Sequence, residues 1–367
     1  MADLDRFSVA TFNLYNLQLA GKKMNPGQKP WTAKEYAAKV RWTADILRDQ
    51  DADIVGLQEL WHAGALEDVL DKGRIKSRYD VLAAPADGSR IVCAALVRKG
   101  LLTGEPKWVE AFPDDVHLES TGVDDPQAPD ISVKVKGFSR PVLTFSVALR
   151  EGAPDVAFFV AHLKSKRPHE VTDEKWYRKA RHGDHRTALG YALATIRRTS
   201  EAAALRVLLT AVMKRTDTPV IVLGDLNDDK LSDTVNLLTE QPRYLVGDSV
   251  GGGDNALYTG QTLQEYRDSR DVYYTHVFQD QRSSLDQVLV SEQFYDNSRR
   301  RLWLFYGLTI DNDHLNGHPG AQDAEASEAA DHRARGTGDH GIVRMGFRWA
   351  PMDAGLAPSP STTDTTG

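Results

Sequence analysis

TPVIVLGDLND (218–228) decides how the rest of the chain is read. Val220, Ile221, Val222 and Leu223 form a short apolar run of the kind that makes a strand buried on both faces. The run stops at Gly224, and Asp225, Leu226, Asn227 and Asp228 follow at once. A buried strand with such a tip carries a carboxylate and an amide to the edge of a sheet. Alone, Asp-Leu-Asn is more often a turn than a site, so the question is whether the arrangement recurs.

It recurs along nearly the whole chain. Further apolar runs are FSVATFNLYNL (7–17), ADIVGLQEL (52–60), IVCAALV (91–97), PVLTFSVAL (141–149), DVAFFVAHL (155–163), SLDQVLVS (284–291), RLWLFYGL (301–308) and HGIVRMGFRW (340–349). Near their ends stand Asn13 in ATFNLYN, Glu59 in GLQEL, His162 in AHLKSK, Asp286 in SLDQVLVS, and Asp339 with His340 in TGDHGI. A lone glutamate or histidine at a strand end is usually a solvated or structural group. Repetition shifts the reading, because each of these side chains is of a type capable of binding metal or phosphate.

Helical patterns lie between some of the runs. Tyr36, Val40, Ala44 and Leu47 share one face in 33–49, as do Leu205, Leu208, Leu209 and Val212 in 199–214. Strand-dense stretches at 81–160 and 285–349 imply hairpins, so the sheets are not purely parallel. The expected fold is α+β: a four-layered α/β-sandwich, two mixed β-sheets packed face to face with helices on the outside. Residues 1–350 are expected to form one catalytic domain. Segment 311–338, polar and rich in Asp, Ala and Gly, reads as a flexible loop. The Pro, Ser and Thr-rich tail 351–367 reads as disordered.

With 367 residues, 41% hydrophobic and 26% charged, the chain has the composition of an ordinary globular protein. Its single cysteine, Cys93, sits in an apolar run, which excludes an intrachain disulfide and favours a packing role. The opening MADLDRFSVATF lacks a signal pattern and no apolar stretch spans a bilayer, so a cytoplasmic location without membrane contact is expected, unless a leader was removed. No obligate protein partner is evident. The net charge of −7 does not advertise a nucleic-acid binder, although local clustering rather than the total controls such binding.

The order and identity of the motifs resemble the endonuclease/exonuclease/phosphatase superfamily, with GDLND, QE and the terminal DH as the most diagnostic parts. The resemblance runs from Asn13 to His340, and YYTHVFQDQRSSLDQVLVS (273–291) is similar to a segment of bacterial extracellular-nuclease-like members. Two positions depart from it. Gly338 stands where a serine usually precedes the final Asp-His, and Gln287 follows Asp286 where those relatives carry histidine.

The resemblance implies hydrolysis of phosphate esters, which requires charge neutralisation, an in-line water and help for the leaving oxygen. Glu59 is the expected ligand for Mg²⁺ or Mn²⁺, with Ca²⁺ a further option; Asn13 adds a carbonyl oxygen or orients a bound water, and family likeness makes Asp339 a further ligand. Asp225 orients or deprotonates the attacking water, and Asn227 donates hydrogen bonds to the developing charge. Asp286 is expected to fix the tautomer of His340. His162 is a second imidazole for the phosphate or leaving group. Which of Asp225 and His340 takes the proton stays open at this point.

After His162, the segment KSKRPHEVTDEKWYRKARHGDHR (164–186) is rich in lysine and arginine, interspersed with Glu170, Asp173, Glu174 and Asp184. Its plain reading is a solvated loop; its functional one is a cationic wall, with Lys164 and Arg167 as phosphate contacts and Trp176 and Tyr177 free to stack on bases. Lys22, Lys23 and Lys29 are candidates for an opposite wall. Three functions are compatible with these residues: a nuclease or other phosphodiesterase with a nucleic-acid partner, an enzyme for a small sugar, inositol or lipid head-group phosphate, and a non-catalytic binding module.

Overall fold

Alternation along the first strand shows why two sheets form. In β1 (Arg6–Leu17), Phe7 and Val9 join one buried cluster, whereas Ala10, Phe12 and Leu14 join another on the opposite face. Successive side chains of a strand point to opposite sides, so a strand apolar on both must lie between two layers.

A computed structural model describes residues 3–121, 127, 129–239, 256–269, 274–278, 281–315 and 337–352. After β1 come α1 (Ala33–Gln50), β2 (Ile54–His62), α2 (Ala63–Gly73), β3 (Tyr79–Leu82), β4 (Asp87–Arg98), β5 (Leu102–Ala111), the short β6 (Glu119–Ser120) and β7 (Ile131–Ser132), then β8 (Gly137–Val147) and β9 (Val156–His162). The chain continues through α3 (Lys179–His182), α4 (Arg186–Met213), β10 (Val220–Asp225), α5 (Asp233–Thr239), β11 (Leu257–Thr259) and α6 (Gly260–Arg267). It closes with β12 (His276–Phe278), β13 (Gln281–Ser283), β14 (Asp286–Ser291), β15 (Trp303–Asp311) and β16 (Ile342–Trp349).

One six-stranded sheet has the order β15-β16-β1-β2-β4-β3, and the other β11-β14-β10-β9-β8-β5. Each has one parallel pair at its centre, β1 with β2 and β9 with β10, and antiparallel neighbours elsewhere. A parallel pair needs a crossover, which α1 supplies in the first sheet and α3 with α4 in the second. The central core fills the space between the sheets, with Phe7, Val9, Ile54, Phe158, Val160, Leu223, Val288 and Phe347 among its members. Residues of α1 and α2 cover the outer face of the first sheet, and residues of α4 and α5 that of the second. The layers therefore run helix, sheet, sheet, helix, as the sequence pattern implied.

Helix α1 starts at a capping box, with Thr32 and Glu35 each satisfying the other's backbone N–H, and it buries Val40, Ala44 and Leu47 as its periodicity predicts. Helix α4 is longer than its apolar pattern suggested. The stretch 199–214 is its inner half, and the first three turns expose Tyr191, Leu193 and Ile196, which hides the period there. In the 311–338 segment, Asp311 ends β15 and Asp313–Leu315 forms a 3₁₀ turn, while 316–336 lies outside the described residues, as does 353–367 of the tail. No helix among the described residues is long and apolar enough to cross a membrane.

The sheets come close together where Gly56 of β2 faces β10 and β9. A Cβ at Gly56 would lie 2.8 Å from Leu223 Cβ and 3.2 Å from Val160 Cγ1, too close for either to stay in place. Overpacking of this kind costs about 1–3 kcal/mol. Gly56→Val should therefore lower the melting temperature by several degrees and reduce catalytic activity more than that loss of folded protein explains. Thermal denaturation alongside a phosphodiesterase assay checks this; unchanged activity in the folded variant would show that sheet spacing does not set the site.

Candidate active site

Three side chains stand in a row across the edge of the second sheet. Asp225, the last residue of β10, pairs in register with Asp286 of β14 on one side and His162 of β9 on the other. Each continues an inward-facing series: Ile221 and Leu223 lead to Asp225, Phe158 and Val160 to His162, and Val288 and Val290 return to Asp286. The same alternation that builds the core thus delivers these polar groups to its end.

The first sheet delivers the facing set. Asn13 follows Phe7 and Val9 on the inner face of β1, and its Nδ2 donates to Asp225 Oδ2 across the gap at 3.0 Å. The Asn13 carbonyl oxygen accepts from the Tyr15 N–H at 2.9 Å. Beyond Asn13 the register between β1 and β2 shifts, and Tyr15, Asn16 and Glu59 take left-handed φ values of +47°, +54° and +59°. This irregularity, matched by a shift between β2 and β4 around Leu57–Leu60, turns Glu59 out of the ladder, where Asn16 N–H donates to its Oε2 at 2.9 Å. Asp339 and His340 arrive just before β16.

Asp225 is the hub. His162 Nε2 lies 3.5 Å and His340 Nε2 3.9 Å from its Oδ2. Asn227, at φ +55°, donates its backbone N–H to Asp225 Oδ1 at 2.9 Å and its Nδ2 to the Leu163 carbonyl at 3.0 Å. His340 Nδ1 donates to Asp286 Oδ2 at 2.7 Å. Thr275 supports that pair from behind: its hydroxyl accepts from the N–H groups of Leu285 and Asp286, and its carbonyl accepts from Gly341 N–H.

Burial sets the protonation pattern. His162 is pushed well below its ordinary value by desolvation first, then by Arg140, His340 and Lys164, so it is neutral near pH 7. Desolvation also acts to lower His340, but Asp286, Asp225 and Asp339 outweigh it and hold the imidazole well above its ordinary value. Burial drives Asp225 up to about 7, with His340 and the Asn227 N–H opposing the rise and Asp286 and Glu59 adding to it. Glu59 is raised as well, by burial and then by Asp339. A buried set this rich in carboxylates retains protons that the same groups would shed in water.

The model of the Endonuclease/Exonuclease/phosphatase family matches residues 10–305, a range that holds Asn13, Glu59, His162, Asp225, Asn227 and Asp286. The chain belongs to this family. Its fold is shared by solved structures of low identity. Truncated TDP2 from Caenorhabditis elegans is 13% identical with a TM-score of 0.52, covering 94% of this chain and 97% of its own. The human Nocturnin catalytic domain, solved with a bound sulfate anion, is 12% identical with a TM-score of 0.51, covering 95% and 97%. No curated protein matches the chain in sequence.

The two departures from the family pattern have structural reasons. Gln287 follows Asp286 and therefore points away from the site, where its Nε2 donates to the Ser284 carbonyl. At Gly338 a Cβ would lie 2.8 Å from Trp42 Cη2, so the indole fills the space a serine side chain would need.

Enzymes of this family are phosphoesterases that use divalent metals, and the donor set here fits such an ion. Asp339 Oδ1 is buried with no hydrogen-bond partner among the described residues, and Asp339 is, after burial, the next source of the raised Glu59 value. Two half-buried carboxylates repelling one another, with an oxygen unsatisfied, form a site completed by a hard cation. Ligand atoms of His276, Asp339 and His340 also lie within 4.8 Å of one another. His276 went unnoticed in the sequence because its strand, β12, is short; its ring centroid is 4.8 Å from that of His340.

Lys39 was missed for a different reason. It sits on the buried face of α1, where a lysine breaks the apolar pattern, and its side chain is fully enclosed. Its Nζ donates to the Thr337 carbonyl at 2.9 Å and lies 5.1, 6.0 and 5.4 Å from the ring centroids of Tyr15, Trp31 and Trp42. The ammonium thus ties α1 to the segment that carries Asp339 and His340.

The basic residues divide. Lys164, half-buried, lines a cavity of about 500 Å³ together with Lys23, Arg90, Arg140 and Arg197. Arg167 is exposed and absent from that lining; its carbonyl instead accepts from Lys164 Nζ, so the expected phosphate contact at Arg167 is not part of the cleft wall. Lys22 and Lys29 are likewise outside it, which leaves Lys23 from the early loop. Arg140 and Arg197 gave no sequence signal, one standing at the start of an apolar run and the other within a helix.

Desolvation lowers Lys39 to about 7 from an ordinary 10.5, with Asp339 and Glu59 opposing the fall. Between these values the unfolded chain binds more protons than the folded one, so this residue makes stability rise with pH across that window. In EDTA, Lys39→Met should remove that rise, leaving a flatter profile of melting temperature against pH on the alkaline side of 7. Parallel profiles for the two proteins would show that Lys39 folds in with its charge unperturbed.

Proposed function

We propose that the chain is a divalent-metal-dependent phosphodiesterase acting on nucleic acid. The observation that carries this reading is the hub at Asp225: one buried carboxylate held by Asn13 and Asn227, flanked by a neutral His162 and by the His340–Asp286 pair. Hydrolysis of a phosphodiester needs a base, a donor to the non-bridging oxygens and a donor to the leaving oxygen, and these groups supply each in turn.

Asp225, raised toward neutrality, accepts the proton of the attacking water as the new P–O bond forms. The Asn13 amide and Asn227 N–H fix the direction of its two oxygens. His340, kept protonated by Asp286, presents Nε2–H to a non-bridging oxygen. His162, neutral, hydrogen-bonds the leaving oxygen through Nε2–H, and as the old P–O bond breaks that oxygen takes its proton from water. Glu59, Asp339 and the Asn13 oxygen would hold the cation, Mg²⁺ or Mn²⁺, which when bound neutralises charge on the phosphate.

Hydrolysis of a fluorescent oligonucleotide and of bis-(p-nitrophenyl) phosphate, with Mg²⁺, Mn²⁺ or Ca²⁺ and with EDTA, tests the reading. p-Nitrophenyl phosphate and inositol phosphates in parallel separate it from an enzyme for small esters, and loss of all turnover in every metal would leave only a binding module. His340→Ala should lower kcat on the oligonucleotide by about 10²–10⁴-fold without loss of the fold. Glu59→Gln should shift the Mg²⁺ dependence to higher concentration. Near wild-type turnover in His340→Ala would overturn the assigned roles.

A further inference from the structure

The cleft near His162 is lined by charge of one sign. Lys23, Arg90, Arg140, Lys164 and Arg197 line it, and among the described residues no aspartate or glutamate does. Arg90 pairs with Glu110, but among the described residues no carboxylate pairs with the heads of Arg140, Lys164 or Arg197. Among those residues Arg140 donates to the Leu163 carbonyl, and Lys164 Nζ to the Ser165 carbonyl and hydroxyl and the Arg167 carbonyl. Arg197 makes no hydrogen bond or ion pair among the described residues, although it is close enough to act on Lys164. Burial lowers Lys164 to about 8, and the nearby Arg140 and Arg197 add to the fall, with Glu201 opposing. Concentrated positive charge offset in part by Glu201 and Glu59 suits a wall that receives an anion from a ligand.

A second cavity, of about 230 Å³, continues from the same residues. Lys164 and Arg197 line both cavities, and the second adds Trp176, Leu193 and Ile196. All three apolar side chains are strongly exposed, Trp176 at 45%. Large apolar groups left in water beside cations suit a ligand that is anionic at one point and flat and apolar at the next.

We propose that this double cleft binds the nucleotide next to the scissile phosphate, with its phosphate on Arg140, Lys164 and Arg197 and its base on Trp176 and the Leu193–Ile196 face of α4. The proposal rests on the phosphodiesterase reading and narrows it, because an inositol or sugar phosphate offers a second phosphate but no ring to stack. Base-on-aromatic contacts are sequence-tolerant, so the subsite selects a single strand rather than a base sequence.

Binding in EDTA tests the subsite independently of turnover. Calorimetric titrations would compare a thymidine dinucleotide carrying its single internal phosphate, the same dinucleotide with an added 5′- or 3′-terminal phosphate, and an abasic analogue carrying two phosphates. Wild-type protein should bind one of the phosphorylated dinucleotides about tenfold more tightly than the plain one, and more tightly than the abasic analogue. Arg197→Gln should abolish the gain from the added phosphate, and Trp176→Ala the gain from the base; both residues are exposed, so the fold is retained. Equal affinity for the plain and phosphorylated dinucleotides, whether both bind or neither does, would overturn the proposal, as would equal affinity for the abasic analogue. Hydrolysis of bis-(p-nitrophenyl) phosphate with Mg²⁺ stands apart: its absence removes the phosphodiesterase reading, and its presence with no phosphate-dependent gain removes only the subsite.

Discussion

Everything at the active edge depends on two sheets interlocking through their apolar inner faces. Neither sheet holds a working set of groups. One carries Asn13, Glu59, Asp339 and His340, and the other His162, Asp225 and Asp286; the hydrogen bonds from Asn13 to Asp225 and from His340 to Asp286 are the stitches between them. Burial of apolar area, a non-directional force, therefore sets distances that chemistry needs to within a fraction of an ångström. The close approach at Gly56 and Leu223 fixes the gap, and Gly224 has a like role within the second sheet, since a Cβ there would collide with the Ala161 carbonyl.

Much of this was legible in the sequence for a simple reason. Strand periodicity of two is rigid, so an apolar series such as Ile221 and Leu223 states which way Asp225 must point, and its end states where. The central strands and helix faces were readable on those grounds, as was the gathering of Asn13, Glu59, His162, Asp225, Asn227, Asp286, Asp339 and His340. What stayed hidden depends on partners remote in the chain. Nothing local marks Lys39 as the occupant of an aromatic enclosure, because Tyr15, Trp31 and Trp42 come from three places. Arg140 and Arg197 lie 57 positions apart by their numbering and meet only after the second sheet and α4 are assembled. Arg167, adjacent to the right segment, faces elsewhere because loops carry no period to predict direction.

Electrostatics follow from the same geometry. Polar groups placed at the end of a hydrophobic core lose water, and the enclosed carboxylates then favour their protonated forms unless a cation intervenes. Burial acts to lower both His162 and His340, and they shift in opposite directions because Arg140, His340 and Lys164 add to it at the first whereas Asp286, Asp225 and Asp339 outweigh it at the second. Two imidazoles of identical chemistry are thereby given distinct tasks by neighbours alone.

The left-handed backbone at Tyr15, Asn16, Glu59 and Asn227 has a consequence for how such a protein could change. Such conformations cost non-glycine residues of order 1–3 kcal/mol each, and asparagine tolerates them better than tyrosine or glutamate. Relief is open to the chain at any time through glycine at position 15 or 59. Glycine at 15 would relax the turn without removing a proposed ligand, whereas glycine at 59 would also delete the carboxylate assigned to the cation, so durability and turnover pull the two positions in different directions.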